Sequence, residues 1–313
     1  MFITGGAGFI GSKLVGRLVE RNEVVVYDDF RRDALTRKPF AEHQNLQILK
    51  GNVLDVRSLR AAMRGADIVV HCAAIAGIAT VLVSPTQTLR VNLIGTANVL
   101  KAAMDLPHLE RLVSFSTSEV FGQSAFQAQE DHDTQIGAVG EARWTYAVSK
   151  LAAEHLARAY HDEFDMPTVT VRPFNIYGPG QVGEGAMKAF VTRALKDDVL
   201  EVHGDGTQIR AWCYVEDFMD ALLLAISAPQ AVGESFNVGN ARAVITIYGL
   251  AQTVVRVLES NSPIRFTRKD YADVELRVPS VDKARDLLGF EAKVDLEDGI
   301  RKTAEYYQKL EGP

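Results

Sequence analysis

The stretch Thr4-Gly-Gly-Ala-Gly-Phe-Ile-Gly11 follows a short apolar segment, Met1–Thr4, and precedes a segment with helical spacing, Ser12–Arg21. Its glycines at positions 5, 8 and 11 are spaced three apart. This spacing suits a tight turn, a close approach of the backbone to a ligand and close packing of the helix on the strand. The N–H groups that begin such a helix attract a pyrophosphate. The stretch therefore predicts a strand–turn–helix unit that binds a dinucleotide.

An acidic residue follows the next apolar strand, Val24–Tyr27. Asp28 stands about 20 residues beyond the glycine turn, where a carboxylate accepts hydrogen bonds from the adenosine ribose and repels a 2′-phosphate. We therefore expect NAD rather than NADP, although Arg31 and Arg32 weaken this preference slightly. Asp55 is placed either to meet the adenine amino group or to cap the helix that follows it, and the two roles are compatible.

Short apolar runs rich in β-branched residues alternate with helical patterns in the first half of the chain. Continuous runs of this kind are typical of strands that are buried on both faces. The predicted strands are Met1–Thr4, Val24–Tyr27, Leu46–Leu49, Asp67–Cys72, Leu112–Phe115 and Thr168–Arg172, and the predicted helices are Ser12–Arg21, Ser58–Met63, Thr88–Met104 and Tyr146–Phe164. Repeated βα units predict an α/β fold, a Rossmann-type doubly wound parallel sheet with helices on both faces.

The texture of the sequence changes after Arg172, where six prolines and glycines fall between positions 173 and 185. We therefore assign residues 1–172 to an NAD-binding domain and residues 173–313 mainly to a smaller substrate-binding part. Segments near residues 210–240 are expected to return to the main sheet. In this part we predict the helices Ala186–Lys196, Val215–Ser227, Thr246–Glu259 and Asp282–Leu288 and the strands Leu200–His203 and Ser235–Val238.

The composition is that of an ordinary globular protein: 313 residues, 47% hydrophobic and 24% charged. The net charge of −6 argues against a general nucleic-acid binder. Two cysteines, Cys72 and Cys213, do not make a disulfide framework, and we expect Cys213 in the core. We find no metal-ligand spacing, no signal-peptide pattern at the start and no apolar run of ~20 residues, so we expect a cytoplasmic protein with no membrane partner.

Two polar side chains lie on one helix face in Tyr146-Ala-Val-Ser-Lys150. A lysine cation near a phenol lowers the pKa of the tyrosine, which makes Tyr146 a usable base. Thr117 follows an apolar strand, at the edge of a parallel sheet that carries the site, and its hydroxyl can either bond a reacting oxygen or cap a turn. His71 we expect to be buried or beside the cofactor rather than catalytic.

Three stretches together resemble the extended short-chain dehydrogenase/reductase superfamily, which contains nucleotide-sugar epimerases, dehydratases and decarboxylases. They are Thr4–Gly11, Tyr146-x-x-x-Lys150 and Arg172-Pro-Phe-Asn-Ile-Tyr-Gly-Pro179. The resemblance covers essentially the whole chain, and it implies a tightly bound NAD that takes a hydride from sugar C4 and often returns it. By family match, Thr117, Tyr146 and Lys150 are the hydroxyl residue, the base and the lysine, and Asn175 and Arg210 hold the nucleotide diphosphate.

The expected cofactor contacts are Gly5, Gly8, Phe9, Ile10, Gly11, Asp28, Asp55, Val56, Ala73, Ala74, Tyr146 and Lys150. Related enzymes pair two helices across a two-fold axis. Here the Thr88–Met104 helix has the apolar positions Leu89, Leu93, Ala97, Leu100 and Met104, and the Tyr146 helix continues with Leu151, Ala152, His155, Leu156 and Ala159. We predict a homodimer, with packing inside one chain as the alternative role of these side chains.

The residues beside Thr117 separate the subclasses of the family. The 4,6-dehydratases carry Thr-Asp-Glu, whereas Ser118 stands here in the middle, and simple 4-epimerases usually lack the glutamate. Thr117-Ser-Glu-Val-Phe-Gly122 looks most like the UDP-glucuronate decarboxylases, although Phe121 replaces their usual tyrosine. Gly140–Lys150 and Asp273–Ser280 resemble the decarboxylase domain of the bacterial lipid A aminoarabinose enzyme, which implies a functional Arg277.

The resemblance therefore implies an NAD-dependent decarboxylase that oxidises C4 of UDP-glucuronate and releases carbon dioxide, giving UDP-xylose or the 4-keto pentose. Thr117, Ser118 and Tyr146 would stabilise the oxyanion, while Glu119 and Arg277 would position the sugar and manage the proton at C5. A 4-epimerase acting on UDP-glucuronate or a UDP-hexose is the leading alternative. A 4,6-dehydratase and a non-enzymatic NAD-binding regulator are more distant ones, the latter disfavoured by the intact Thr117, Tyr146 and Lys150.

Overall fold

The computed structural model describes residues 1–268 and 274–311 and confirms the predicted fold class. Its strands are β1 (Phe2–Thr4), β2 (Val24–Asp28), β3 (Leu46–Lys50), β4 (Ile68–His71), β5 (Arg111–Phe115), β6 (Ser124–Ala128), β7 (Thr168–Pro173), β8 (Ile176–Tyr177), β9 (Leu200–His203), β10 (Ile209–Ala211), β11 (Cys213–Tyr214), β12 (Ser235–Val238), β13 (Val244–Thr246), β14 (Ile264–Thr267) and β15 (Leu276–Pro279).

Its α-helices are α1 (Phe9–Leu18), α2 (Val56–Met63), α3 (Ile78–Val83), α4 (Pro85–Leu89), α5 (Gly95–Ala103), α6 (Thr145–Phe164), α7 (Ala186–Ala194), α8 (Val215–Ser227), α9 (Ile247–Val257), α10 (Asp282–Leu288) and α11 (Leu296–Glu311). Short 3₁₀ turns at Ser118–Phe121 and Ala142–Trp144 precede β6 and α6. None of the helices that the structure describes has both the length and the apolar run needed to cross a membrane.

Seven of the described strands form one parallel sheet in the order β12-β7-β5-β4-β1-β2-β3. The chain moves outward in one direction from β1 to β3 and then crosses back to β4 beside β1. A crevice opens outside the carboxyl ends of the strands where the direction of winding changes. This topology places the functional groups that follow β1, β4 and β5 along one edge.

Both faces of the sheet are buried, as the continuous apolar strands predict. Successive residues of β1 point to opposite sides: Phe2 packs into the cluster beneath α2 and α5, and Ile3 packs into the cluster beneath α1 and α8. Cys213 belongs to the second of these clusters, in agreement with its predicted core position.

The later part of the chain contributes to two layers. The strand β12 pairs with β7 in the main sheet, and α8 packs against the same sheet. The other strands form a four-stranded sheet, β13-β10-β15-β6, and two-stranded pairs. Because β6 comes from the first half of the chain and β15 from the second, this sheet joins the two halves. The division at residue 172 stays a prediction.

The predicted helix over Thr88–Met104 differs in detail. The structure divides the region into α4, a π-helical turn at Arg90–Ile94 and α5. A π-helical turn inserts an extra residue into a helix and is frequent at functional sites. Here it directs Asn92, which is fully buried, toward the edge of the main sheet that carries the crevice.

Several elements were not predicted. They are the short strands β6, β10, β13 and β15, the helix α3 and the amphipathic C-terminal helix α11. Strands of three to five residues are too short to show a period in the sequence. The first helix begins at Phe9 rather than Ser12, because the glycine turn leads directly into it.

Candidate active site

The glycine turn between β1 and α1 is a cradle that only glycine fits at two positions. Gly5 has a φ of +70°, and a Cβ there would lie 2.5 Å from the backbone nitrogen of Ala73. A Cβ on Gly11 would lie 2.4 Å from the carbonyl oxygen of Gly5. The turn therefore brings the N-terminus of α1 against the chain that follows β4, with no side chain between them.

A groove of about 560 Å³ runs along this edge, a size suited to a cofactor. Most of the predicted cofactor residues line it: Gly5, Gly8, Phe9, Ile10, Gly11, Asp28, Ala73, Ala74, Tyr146 and Lys150. The backbone N–H groups at the start of α1 have no side-chain cap, which leaves them for an anionic group. The residues present therefore fit the pyrophosphate of a dinucleotide.

Asp28 ends β2 at the wall of the groove and is 8% exposed. Its two carboxylate oxygens accept hydrogen bonds from the backbone N–H groups of Ala7, at 3.0 Å, and Phe30, at 2.8 Å. Burial raises the pKa of Asp28, and these two hydrogen bonds act in the opposite direction. The carboxylate is thereby fixed where a ribose would lie.

Asp55 and Val56 do not line the groove, contrary to their prediction as cofactor contacts. Asp55 caps α2, because its carboxylate accepts hydrogen bonds from the Ser58 backbone N–H at 3.2 Å and the Ser58 hydroxyl at 2.6 Å. The turn from Asn52 to Asp55 directs this carboxylate to the helix, so that Asn52 and Val53 line the groove instead. Their place directly after β3 is the signal that the sequence offered.

Thr117 holds both of its predicted roles. It follows the carboxyl end of β5, and its hydroxyl oxygen accepts a hydrogen bond from the Glu119 backbone N–H at 3.2 Å, which caps the turn Ser118–Phe121. The Thr117 side chain is also hydrogen-bonded to the phenol of Tyr146, which stands in the first turn of α6. The structure thus joins two residues from separate motifs at one point.

Burial raises the pKa of Tyr146, and the nearby Glu119 carboxylate acts in the same direction. The prediction of a lowered pKa is therefore wrong for the chain alone, because desolvation outweighs the favourable charges. The influences that lower this pKa are the hydrogen bond with Thr117 and the guanidinium groups of Arg143 and Arg277. The phenolate form of Tyr146 thus depends on groups outside its own helix.

Lys150 is 2% exposed and lines the groove. Burial lowers the pKa of Lys150 to about 8. No hydrogen-bond partner for its Nζ is present within residues 1–268 and 274–311. A buried amine without a partner is costly, so the site fits a ligand that brings polar groups, such as the hydroxyls of a ribose. Ser116, which the sequence did not single out, presents a second such atom, its buried Oγ.

Glu119 and Arg277, which are distant in sequence, lie together as predicted. The Glu119 Oε1 atom is 3.7 Å from the Arg277 Nη1 atom. Arg277, in β15, also donates a hydrogen bond to the Gly122 carbonyl at 3.1 Å. Arg143 contacts the same carboxylate and was missed, although the stretch Gly140–Lys150 was singled out. The carboxylate of Glu119 is therefore held between two buried guanidinium groups beside Tyr146.

Asn175 and Arg210 lie outside the groove, at the junction of the two sheets. The Asn175 amide donates to the Ala211 carbonyl at 2.8 Å, and Arg210 donates to the carbonyls of Ile209 and Val274. Arg210 is paired in register with Arg277 across β10 and β15. Their predicted contact with a substrate diphosphate stays a prediction. Asp273, which begins the stretch containing Arg277, lies outside the described residues.

His71 is fully buried, as predicted, and links β1 to the π-helical turn. Its Nδ1 is 2.7 Å from the Thr4 hydroxyl, and its Nε2 is 2.9 Å from the Thr96 hydroxyl. The Thr96 hydroxyl donates to the Asn92 carbonyl at 2.6 Å, and the Asn92 amide donates to the Ser149 hydroxyl of α6 at 3.0 Å. This chain of hydrogen bonds ties the sheet to the helix that carries Tyr146.

Burial lowers the pKa of His71 to about 3, well below its value of 6.5 in an unfolded chain. The unfolded chain therefore binds one proton more between these values, so stability should be full above pH 6.5 and should fall as the pH drops below it. We expect a His71→Gln variant to lose up to about 1.4 kcal/mol per pH unit of this dependence. Urea unfolding of both proteins between about pH 7 and about pH 5 measures the two slopes; equal slopes would contradict the prediction.

Comparison with known proteins follows the same lines. Residues 1–239 match the NAD dependent epimerase/dehydratase family. A UDP-N-acetyl-alpha-D-glucosaminuronate decarboxylase from Bacillus cytotoxicus is 32% identical over 321 residues, covering 99% of this chain and 98% of the relative. UDP-glucuronic acid decarboxylase 6 from Arabidopsis thaliana is 32% identical, covering 96% of this chain and 86% of the relative.

A solved structure shares the whole fold. The UDP-glucuronic acid 4-epimerase from Bacillus cereus, in complex with UDP-glucuronic acid and NAD, superposes with a TM-score of 0.89 at 27% identity, and the match covers 99% of each chain. The relatives thus carry the names of two reactions, decarboxylation and 4-epimerisation.

Proposed function

This chain belongs to the NAD dependent epimerase/dehydratase family, and on that premise we propose that it is a UDP-glucuronate decarboxylase, a lyase that oxidises C4 of the sugar before carbon dioxide leaves. The observation that carries the proposal is the Glu119 carboxylate, which lies beside Tyr146 and within 3.7 Å of the buried Arg277. An acid and a base of this kind have a use in handling the C6 carboxylate and the proton at C5. Relatives at 32% identity that bear the name of decarboxylases support it.

The residues of the groove would hold NAD with its pyrophosphate at the N-terminus of α1 and its adenosine ribose at Asp28. When bound, NAD supplies an acceptor for the hydride of sugar C4. Lys150 lies in the same groove as Tyr146, one helical turn further along α6, and its Nζ is placed for polar groups of the ligand.

Tyr146 is the proposed base that removes the proton from the O4 hydroxyl. Its hydrogen bond with Thr117 orients the phenol and favours the phenolate, and the guanidinium groups of Arg143 and Arg277 act in the same direction. The hydroxyl of Thr117 is placed to bond the same sugar oxygen. Loss of the O4 proton and of the C4 hydride leaves a ketone at C4.

That ketone lies β to the C6 carboxylate, so the bond between C5 and C6 can break with its electron pair passing into an enolate at C4. Hydrogen-bond donors aimed at the enolate oxygen stabilise it, and we assign this role to Thr117, Ser118 and Tyr146. Arg277 would place the carboxylate before it leaves as carbon dioxide, and Glu119 would manage the proton that C5 then takes up. The product is UDP-xylose, or the 4-keto pentose if C4 is not reduced again.

A 4-epimerase acting on the same substrate is the second candidate, and the likeness to the Bacillus cereus 4-epimerase favours it. It shares the oxidation at C4, after which the ketone turns over in the site and carbon is retained. Glu119 and Arg277 argue for the decarboxylase, because an epimerase has less use for a paired carboxylate and guanidinium at C5 and C6. A 4,6-dehydratase is disfavoured by Ser118, a buried hydroxyl where an acid is needed.

Incubation with a panel of UDP-, dTDP-, GDP- and CDP-sugars, with the mass of each product, tests the proposal. The panel includes UDP-glucuronate and its 2-acetamido analogue, because the relative from Bacillus cytotoxicus is named for the latter. A product that has lost the mass of carbon dioxide supports a decarboxylase, and a product of unchanged mass supports an epimerase.

We also propose that the chain forms a homodimer through α4, α5 and α6, which pack side by side. Leu89 is 39% exposed and Met104 is 45% exposed, whereas Leu100, which we had placed in the interface, is buried in the core of its own chain. Light scattering at micromolar concentration should give about twice the chain mass of 34.3 kDa. A mass equal to that of a single chain would rule the dimer out.

A further inference from the structure

We propose that Arg143 is a positioning residue that acts through Glu119, so that the two arginines at this carboxylate have different tasks. Arg143 fixes Glu119, and Arg277 remains oriented for the carboxylate of the sugar. The inference rests on the proposed function for the identity of the step that Glu119 serves. It concerns a residue that no sequence motif in this chain singled out.

The contacts of the two arginines with Glu119 are unequal. Both terminal nitrogens of Arg143 donate to Glu119, one to each carboxylate oxygen, with the Nη2 to Oε1 distance at 3.2 Å. A bidentate pair of this kind fixes the plane and the direction of a carboxylate. Arg277 approaches the same carboxylate with one nitrogen at 3.7 Å, and its other terminal nitrogen donates to the Gly122 carbonyl. Arg143 therefore decides where the carboxylate of Glu119 points.

Arg143 is itself held in place by the turn that begins the catalytic helix. It lies in the 3₁₀ turn Ala142–Trp144 and is 5% exposed. Its guanidinium lies 5.4 Å from the ring of Trp144, and the Trp144 indole N–H donates to the Glu141 carboxylate at 2.9 Å. The turn passes directly into α6, so one short segment positions Tyr146 and, through Arg143, Glu119.

The balance of charge explains why both arginines are needed. Two guanidinium groups and one carboxylate leave an excess positive charge, which suits a substrate that carries a carboxylate at C6. Removal of Arg143 would leave Glu119 to pair with Arg277 alone, because a buried carboxylate needs a partner. Arg277 would then be turned from the sugar, and Glu119 would lose its fixed direction. The loss should therefore fall on the steps that Glu119 serves and only weakly on nucleotide binding.

A double-mutant cycle with Arg143→Gln and Glu119→Gln in the holoenzyme tests this coupling. In single turnovers of UDP-glucuronate we expect Arg143→Gln to slow carbon dioxide release by about tenfold or more, and the double variant to lie within about twofold of Glu119→Gln. Arg143→Lys should recover part of the rate, and the dissociation constant for UDP should change by less than about threefold. Should Arg143→Gln not fold, Arg143→Lys takes its place in the cycle.

Arg111→Gln is the matched control. Arg111 is also a buried arginine, 6% exposed, but its guanidinium donates to the carbonyls of Ala225 and Ala228. We expect it to lower the melting temperature and to leave the single-turnover rate unchanged. Additive losses in the double variant, or an equal loss of rate in Arg111→Gln, would overturn the inference.

The proposed function is judged by a different result. If the unmodified enzyme converts UDP-glucuronate without releasing carbon dioxide, the decarboxylase proposal fails, and the same cycle is measured on the rate of 4-epimer formation. Coupling between Arg143 and Glu119 in that reaction would support the positioning role, and its absence would overturn it.

Discussion

The Tyr146→Phe variant is expected to lose all product and all formation of reduced cofactor from UDP-glucuronate. The change removes only the phenol oxygen that accepts the O4 proton and bonds Thr117, so the fold and the groove should be unaffected. Loss of a general base typically slows a reaction by ~10²–10⁴-fold. Single-turnover absorbance of the reduced nicotinamide measures the oxidation directly.

Tyr160→Phe serves as the control, since Tyr160 lies on the same helix and packs against Phe164, with ring centroids 5.5 Å apart. It should oxidise the sugar at the rate of the unmodified enzyme. If Tyr146→Phe kept a rate within about tenfold of that value, the base would have to be another residue.

The Arg277→Ala variant should divide binding from chemistry. It removes the guanidinium that would place the C6 carboxylate, while the glycine turn and Asp28 are untouched. We expect carbon dioxide release to fall far more than UDP binding weakens. Glu119→Gln should keep substrate affinity within about tenfold while turnover falls, the pattern of an interaction used mainly in the transition state.

Single-turnover release of carbon dioxide and equilibrium binding of UDP, measured on the same preparations, test this division. Arg111→Ala is the control for the loss of a buried arginine elsewhere in the main sheet. Parallel losses of UDP affinity and of rate in Arg277→Ala would mean that Arg277 holds the phosphates rather than the carboxylate.

The groove for the cofactor could be predicted because its signals are local. The glycine turn, Asp28 and the four-residue spacing of Tyr146 and Lys150 each lie within one strand–turn–helix unit or one helix. The approach of Glu119 to Arg277 came from family resemblance, since β6 and β15 are separated by half the chain and meet only in the folded sheet.

What the sequence did not show depends on long-range packing. Arg143 looks like a charged residue before a helix, and only the position of Glu119 gives it a role. The pKa of Tyr146 was predicted in the wrong direction because spacing reveals the neighbouring lysine but not the degree of burial. Asp55 could have faced the groove or capped α2, and the path of the turn from Asn52 decided for the cap.

The most direct test of the central claim is one single-turnover experiment with the unmodified holoenzyme and UDP-glucuronate, in which absorbance of the reduced nicotinamide, released carbon dioxide and product mass are followed together. We expect oxidation to be followed by release of one carbon dioxide for each sugar oxidised and by UDP-xylose or the 4-keto pentose. Oxidation without carbon dioxide, with UDP-galacturonate as the product, would contradict the decarboxylase and establish the epimerase in its place.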